Sequence, residues 1–189
     1  MTGRIIVLNG VGSAGKTSAA KALQKMAADP FLHVPGDAFL EMIAPQMWGD
    51  AKGIVFRQFE EDGRASVEIE MGLELHRLME GMRASVAALA RAGNNCIVDD
   101  VMLSSSDQQS YVEACQGLQL HFVAIHAPLA LLEERERSRG DRLIGLSRWQ
   151  FPRVHQGIEY DFELSSAINT PEQIAGAIAS ALDISLADR

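Results

Sequence analysis

The chain has 189 residues, 47% of them hydrophobic and 22% charged, with a formal net charge of −8. That length suits one domain, 1–189, with a real core. The acidic balance argues against a general nucleic-acid binder, which needs a basic face to neutralise phosphates, but a nucleotide ligand needs only a few local cations.

Cys96 and Cys115 form no C-x-x-C pair, so they carry no metal or redox signature. No apolar run approaches a membrane span, and Ile5-Ile6-Val7-Leu8 near the start is too short for a signal core. A reduced, cytoplasmic protein with no membrane and no nucleic-acid partner is the expectation.

Residues 4–8 form the first short, β-rich apolar run. Similar runs follow at 31–35, 96–99, 120–127 and 160–164, most of them without polar–apolar alternation. Such runs are typical of strands covered on both faces. Helical patterns lie between them at 17–28, 72–92, 106–115 and 129–138. A last helix starts at Thr170-Pro171-Glu172-Gln173, where Thr170 fits an N-cap, Pro171 the first position and Gln173 the reciprocal cap. This alternation predicts an α/β fold with a mostly parallel sheet and helices on both faces. The stretch 49–69 fits no clean period and leaves room for a hairpin or an insertion over the site.

Residues 10–17 read Gly10-Val11-Gly12-Ser13-Ala14-Gly15-Lys16-Thr17, a complete G-x-x-x-x-G-K-T between strand and helix. The glycines let the backbone turn its N–H groups round an anion, and the helix that follows points its positive end at the same place. Gly10, Gly12, Ser13, Ala14, Gly15, Lys16 and Thr17 are therefore the candidate phosphate cradle. Lys16 would reach the β- and γ-phosphates, and the Thr17 hydroxyl would ligate Mg²⁺.

In open α/β sheets ligands lie at the carboxyl ends of the strands. The second strand ends near Asp37 and the third at Asp99-Asp100. Asp99 closes an apolar run and suits a Mg²⁺-holding acid; alternation means that Asp99 and Asp100 do not both face that way. A strand-capping role is the competing reading for the pair. Asp37 is a candidate base that orients and deprotonates a hydroxyl acceptor. Its competing reading is the N-cap of a helix over 38–44.

Arg135, Arg139 and Arg142 are spaced four and three apart and share one face if the helix persists through Gly140. They could neutralise charge during phosphoryl transfer, with Gly140-Asp141 as a hinge. The competing reading is a solvated helix with Glu133 paired to Arg137. The apolar residues Phe39, Met42, Met47, Trp48, Phe56, Val101 and Met102 favour an apolar acceptor over a polar acid, sugar or nucleoside, unless they are core. A switch GTPase or regulatory nucleotide module would usually show an N-K-x-D, which is missing here, and the lone D-x-x-G at 50–53 follows no convincing strand.

The sequence resembles the chloramphenicol phosphotransferase family almost end to end. The likeness rests on RIIVLNGVGSAGKT at 4–17, GDAFLEMI at 36–43, IVDDVML at 97–103, ERSRGDRLIGLSRWQ at 136–150 and VHQGIEYDFELSS at 154–166. It implies a P-loop NTPase fold with five parallel strands in the order 2-3-1-4-5 and a lid at about 135–150. It further implies ATP and Mg²⁺ as cofactors, and a small-molecule hydroxyl, chloramphenicol or another antibiotic, as acceptor. It makes Asp37 the base and Arg139 and Arg142 the lid cations, while Arg135 is expected to help bind the nucleotide. Ser165-Ser166 stands where the family tends to have Asp-Thr, and 46–70 matches only loosely. His155 and Tyr160 belong to the matched signature but receive no chemical role.

Overall fold

The computed structural model describes residues 1–140 and 143–187. Strand β1 (Arg4–Asn9) runs into a tight loop and then helix α1 (Lys16–Met26). Strand β2 (Phe31–Pro35) leads into a short helix α2 (Gly36–Leu40). An antiparallel hairpin, β3 (Ile54–Glu61) and β4 (Arg64–Met71), precedes the long helix α3 (Leu73–Arg91). Then come β5 (Asn95–Asp100), α4 (Ser105–Ala114), β6 (Gln119–His126), α5 (Leu129–Arg139), α6 (Leu146–Gln150), β7 (Phe162–Ser165) and α7 (Pro171–Ala181).

Five strands pair in parallel in the order β2-β5-β1-β6-β7. The hairpin forms a sheet of its own and shifts the numbering; with only the five parallel strands counted, the order is 2-3-1-4-5. Alternation along β1 explains the two-sided core. Ile6 and Leu8 join Ile97, Val123 and Ile125 under α1 and α7. Ile5 and Val7 join Cys96, Val98 and Phe122 under α3 and α4. Neighbouring strand residues point to opposite faces, so a strand apolar throughout needs a helix layer on each side. The Thr170–Gln173 capping box and Pro171 at the first position start α7 as expected.

The segment 49–69 resolves mainly into the hairpin. Its turn is Asp62-Gly63, with φ of 52° and 72°. Two successive positive φ values make the turn whose twist matches that of paired strands, and Asp-Gly is among the sequences that accept it. The dipeptide was the available signal, masked by the mixed pattern of the flanking residues.

The helix expected over 38–44 instead spans Gly36–Leu40. Its N-cap is Pro35, with no side-chain cap, and Asp37 lies inside the first turn. The N-cap reading of Asp37 is therefore wrong. The arginine-bearing helix ends at Arg139, with Gly140 at φ 69° as its C-cap. Asp141 and Arg142 lie outside the described residues.

Gly145 sits at φ 101°, and a Cβ there would stand 2.5 Å from the Ala65 carbonyl oxygen. Gly145→Ala should therefore cost roughly 1–3 kcal/mol of stability from backbone strain alone. Urea denaturation measures it; an unchanged midpoint would show that the α6–hairpin junction yields freely.

Candidate active site

The parity of β5 separates its two terminal carboxylates. Asp99 shares a face with Ile97 and turns toward α1, where the Thr17 hydroxyl donates to its Oδ2. His33 Nε2 lies 3.5 Å from the same oxygen. Burial alone would raise the Asp99 pKa, but His33, the Lys16 charge and Thr17 together hold it below the ordinary carboxylate range. Asp99 is thus kept anionic.

Asp100 faces the α3 and α4 side. Its Oδ2 accepts from the Tyr111 hydroxyl at 2.8 Å and its Oδ1 from the Val101 N–H at 2.8 Å. Arg83 lies over the Tyr111 ring at 5.2 Å and pairs with Asp107 at 2.7 Å. Burial pushes the Asp100 pKa up, although the Tyr111 bond and the Arg83 charge oppose the shift. The structure therefore ties Asp99, not Asp100, to Thr17.

The loop between β1 and α1 winds round the same point. Ser13 has φ 66° and Gly15 φ 94°. Lys16 is buried, and its ammonium donates to the carbonyls of Gly10 at 2.8 Å and Val11 at 3.1 Å. The Ser13 hydroxyl is buried with no hydrogen-bond partner among the described residues, and Ser13 lines the cavity beside Lys16 and Thr17. An orphaned donor there suits an anion, since a buried hydroxyl without a partner is costly.

That cavity is about 1280 Å³. A single small-molecule site is roughly 300–1000 Å³, so there is room for two ligands. Its lining divides between the two sides of the loop, here termed its two arms. On the β2–β5 side it is walled by Trp48, Ile54, Phe56, Ile69, Leu75 and Met79, and Asp37 is also in its lining. Trp48 and Phe56 stack with ring centroids 6.2 Å apart. On the β6–β7 side it is walled by Leu131, Arg135, Ser138 and Arg139 of α5 and by Ser166, Asn169 and Pro171.

Several expected residues therefore meet. Ser13, Gly15, Lys16, Thr17, Asp37, Asp99, Arg135 and Arg139 all line one cavity. Arg135 is anchored: it donates to Ser166 Oγ at 2.9 Å, to the Ser166 carbonyl at 3.0 Å and to the Ser13 carbonyl at 3.4 Å. The Ser165-Ser166 departure thus supplies its seat. The Glu133–Arg137 pair of the competing solvated-helix reading does not form: Glu133 meets Arg148, and Arg64 at 3.6 Å.

Of the expected apolar residues, Trp48, Phe56 and Val101 line the cavity. Met102 is 1% exposed and belongs to the core, Phe39 packs against that core, and Met42 is 62% exposed. Met47 is also absent from the lining. Most of the apolar wall comes from the hairpin and α3, whose folding back over the loop no local pattern reveals.

Within the signature at 154–166, Val154, His155 and Tyr160 join a hydrogen-bond network round Asn9. Asn9 donates to the Val154 carbonyl at 2.8 Å and to the Tyr160 hydroxyl at 2.6 Å, and it accepts the Met102 N–H at 2.8 Å. His155 Nδ1 meets the Tyr160 hydroxyl at 2.8 Å. The network fastens the carboxyl end of β1 to that of β5.

Comparison with known proteins gives the same reading. The family model described as chloramphenicol phosphotransferase-like protein matches residues 3–183. The chain belongs to that family. A relative in two strains of Mycobacterium tuberculosis, itself only provisionally described as an O-phosphotransferase, is 30% identical over 180 residues. The match spans 92% of this chain and 79% of the relative. Among solved structures, a sugar kinase from Janibacter superposes with a TM-score of 0.68 at 20% identity, covering 97% of this chain and 96% of the other. The tunicamycin resistance protein of Deinococcus radiodurans gives 0.65 at 18%, covering 98% and 99%. The Mycobacterium tuberculosis APS kinase gives 0.68 at 13%, covering 96% and 98%. The fold of this chloramphenicol phosphotransferase-like chain is that of the P-loop kinases, and its family and fold make it a kinase-type phosphotransferase acting on a small molecule.

Within the signature network, burial first and the His126 ring second push the His155 pKa down to about 4. An unfolded chain takes up that proton at about 6.5. Above that value both states are neutral; as pH falls from about 6.5 toward about 4 the unfolded state gains the proton first, and stability is lost. His155→Gln should then lose less melting temperature than wild type between about pH 7 and about pH 4.5. Equal losses would show that this ring does not carry the acid sensitivity.

Proposed function

We propose that this protein transfers the γ-phosphate of ATP to a hydroxyl of a small, largely apolar molecule, with Mg²⁺ as cofactor. The observation that carries the reading is the single cavity in which the Lys16 loop and the Thr17–Asp99 pair adjoin both an exposed carboxylate, Asp37, and an apolar arm. When bound, ATP supplies the phosphoryl group and Mg²⁺ neutralises its charge. Thr17 and Asp99 offer adjacent hard oxygens, and Mg²⁺ typically takes one or two protein ligands plus phosphate and water. No cluster of three or more His, Cys, Asp or Glu occurs among the described residues.

The polar arm between α5 and 166–171 would hold the nucleoside end, with Gly10, Gly12, Ser13, Ala14 and Gly15 shaping the phosphate loop and Arg135 beside it. Lys16 would leave the Gly10 and Val11 carbonyls for the phosphates. The apolar arm would hold the acceptor with its hydroxyl at Asp37. Asp37 would accept the hydroxyl proton as the new O–P bond forms and the bond to the bridging oxygen of ADP breaks. Arg139 and Arg142 would neutralise charge on the transferred group, with 135–150 acting as a lid on a single 1–189 kinase domain. The apolar wall counts against a polar acid or sugar as acceptor and is compatible with chloramphenicol or another antibiotic.

The test is transfer of labelled γ-phosphate from ATP to a panel of antibiotics and other hydroxyl compounds, measured against hydrolysis. Transfer should require Lys16, and Arg139→Ala or Arg142→Ala should lower it by roughly 10³-fold. Losses under tenfold in both arginine variants would return that segment to a solvated surface. ATP hydrolysis with no acceptor labelled would favour a regulatory NTPase.

A further inference from the structure

Gly12 is gripped on both sides of its backbone by a helix 135 residues further along the chain. Its N–H donates to Gln150 Oε1 at 2.8 Å, and its carbonyl accepts from Ser147 Oγ at 3.3 Å. Ser147 and Gln150 lie on α6 and are 1% and 3% exposed. The grip extends further. Glu136 of α5, 1% exposed, accepts the Gly145 N–H at 2.8 Å and the Ser147 N–H at 2.7 Å. The Gly145 carbonyl accepts the Val67 N–H of β4 at 3.1 Å. Phosphate loop, α5 and hairpin therefore converge on α6 through five hydrogen bonds.

Gly12 directly precedes Ser13, whose positive φ begins the turn of the cradle. An ungripped peptide there would have more backbone freedom to lose on binding, and fixing one residue costs roughly 1–2 kcal/mol. We propose that Gln150, braced by Glu136 through α6, is a positioning residue that presets the Gly12 peptide so that the loop amides meet the phosphates without rearrangement. The proposal rests on the nucleotide-site reading above. Glu136 does not line the cavity, so any effect it has on the ligand must pass through α6.

The test uses ADP binding by calorimetry beside thermal melting of the free protein. Gln150→Met keeps the length of the side chain and removes the acceptor. Glu136→Gln turns one accepting oxygen into a donor that faces an N–H. Both should weaken ADP binding by roughly tenfold, about the worth of one hydrogen bond. Ser147→Ala, a milder change, should weaken it less, and it keeps the test alive if either first variant fails to fold. Variants that melt lower but bind ADP like wild type would overturn the positioning role. Wild-type protein that failed to bind ADP would overturn the nucleotide reading and this proposal with it.

Discussion

The site depends on side-chain alternation at the end of β5. Two consecutive carboxylates emerge there, and the pleat sends them to opposite faces of the sheet. Asp99 goes to the α1 side and is held ionised against Thr17 and the Lys16 charge. Asp100 goes to the α4 side and is fastened by Tyr111. A one-residue slip of β5 would exchange them and put Asp100 against the loop between β1 and α1. The register that prevents this is set by Ile5, Val7, Cys96 and Val98 filling one core while Ile6, Leu8 and Ile97 fill the other. Two-sided packing thus specifies which carboxylate faces the loop.

A second constraint is the position of α6. It is only Leu146–Gln150, yet it touches the phosphate loop, α5 and the hairpin. Its N-terminal N–H groups have no helical partners of their own, and the buried Glu136 carboxylate satisfies two of them. A buried carboxylate with two N–H donors is well placed; without them its burial would be costly. Through these bonds α6 joins α5 to the hairpin, so that a lid over 135–150 would move together with the hairpin.

Much of this was legible in the residues. The five parallel strands and most of the helices follow from short β-rich runs and 3.6-residue periodicity. The G-x-x-x-x-G-K-T could be placed because it lies between a strand and a helix. Parity alone told that Asp99 and Asp100 face opposite ways but not which of them faces the loop; the Thr17 contact decides that. What was not legible depends on distant contacts. Gln150 reaches Gly12 across 138 residues, and no local pattern marks it. Arg135 finds its seat on Ser166, where the chain departs from its family. Of the apolar residues expected at the wall, Trp48, Phe56 and Val101 line it, whereas Met102 and Phe39 belong to or pack on the core and the hairpin adds Ile54 and Ile69. Asp37 read equally well as an N-cap because Asp before an apolar run is a common helix start; only the observed start at Gly36 removes that reading.

The central claim is that Asp37 acts on the acceptor rather than on its helix, and one substitution tests it most directly. Asp37→Asn keeps the size of the side chain and removes the charge and the proton acceptor. With an acceptor in hand, steady-state turnover should fall by roughly 10²- to 10⁴-fold, the usual contribution of a positioned base. ATP affinity and melting temperature should hold. Turnover within a few-fold of wild type would contradict the account and leave the cavity as a nucleotide site with no assigned base.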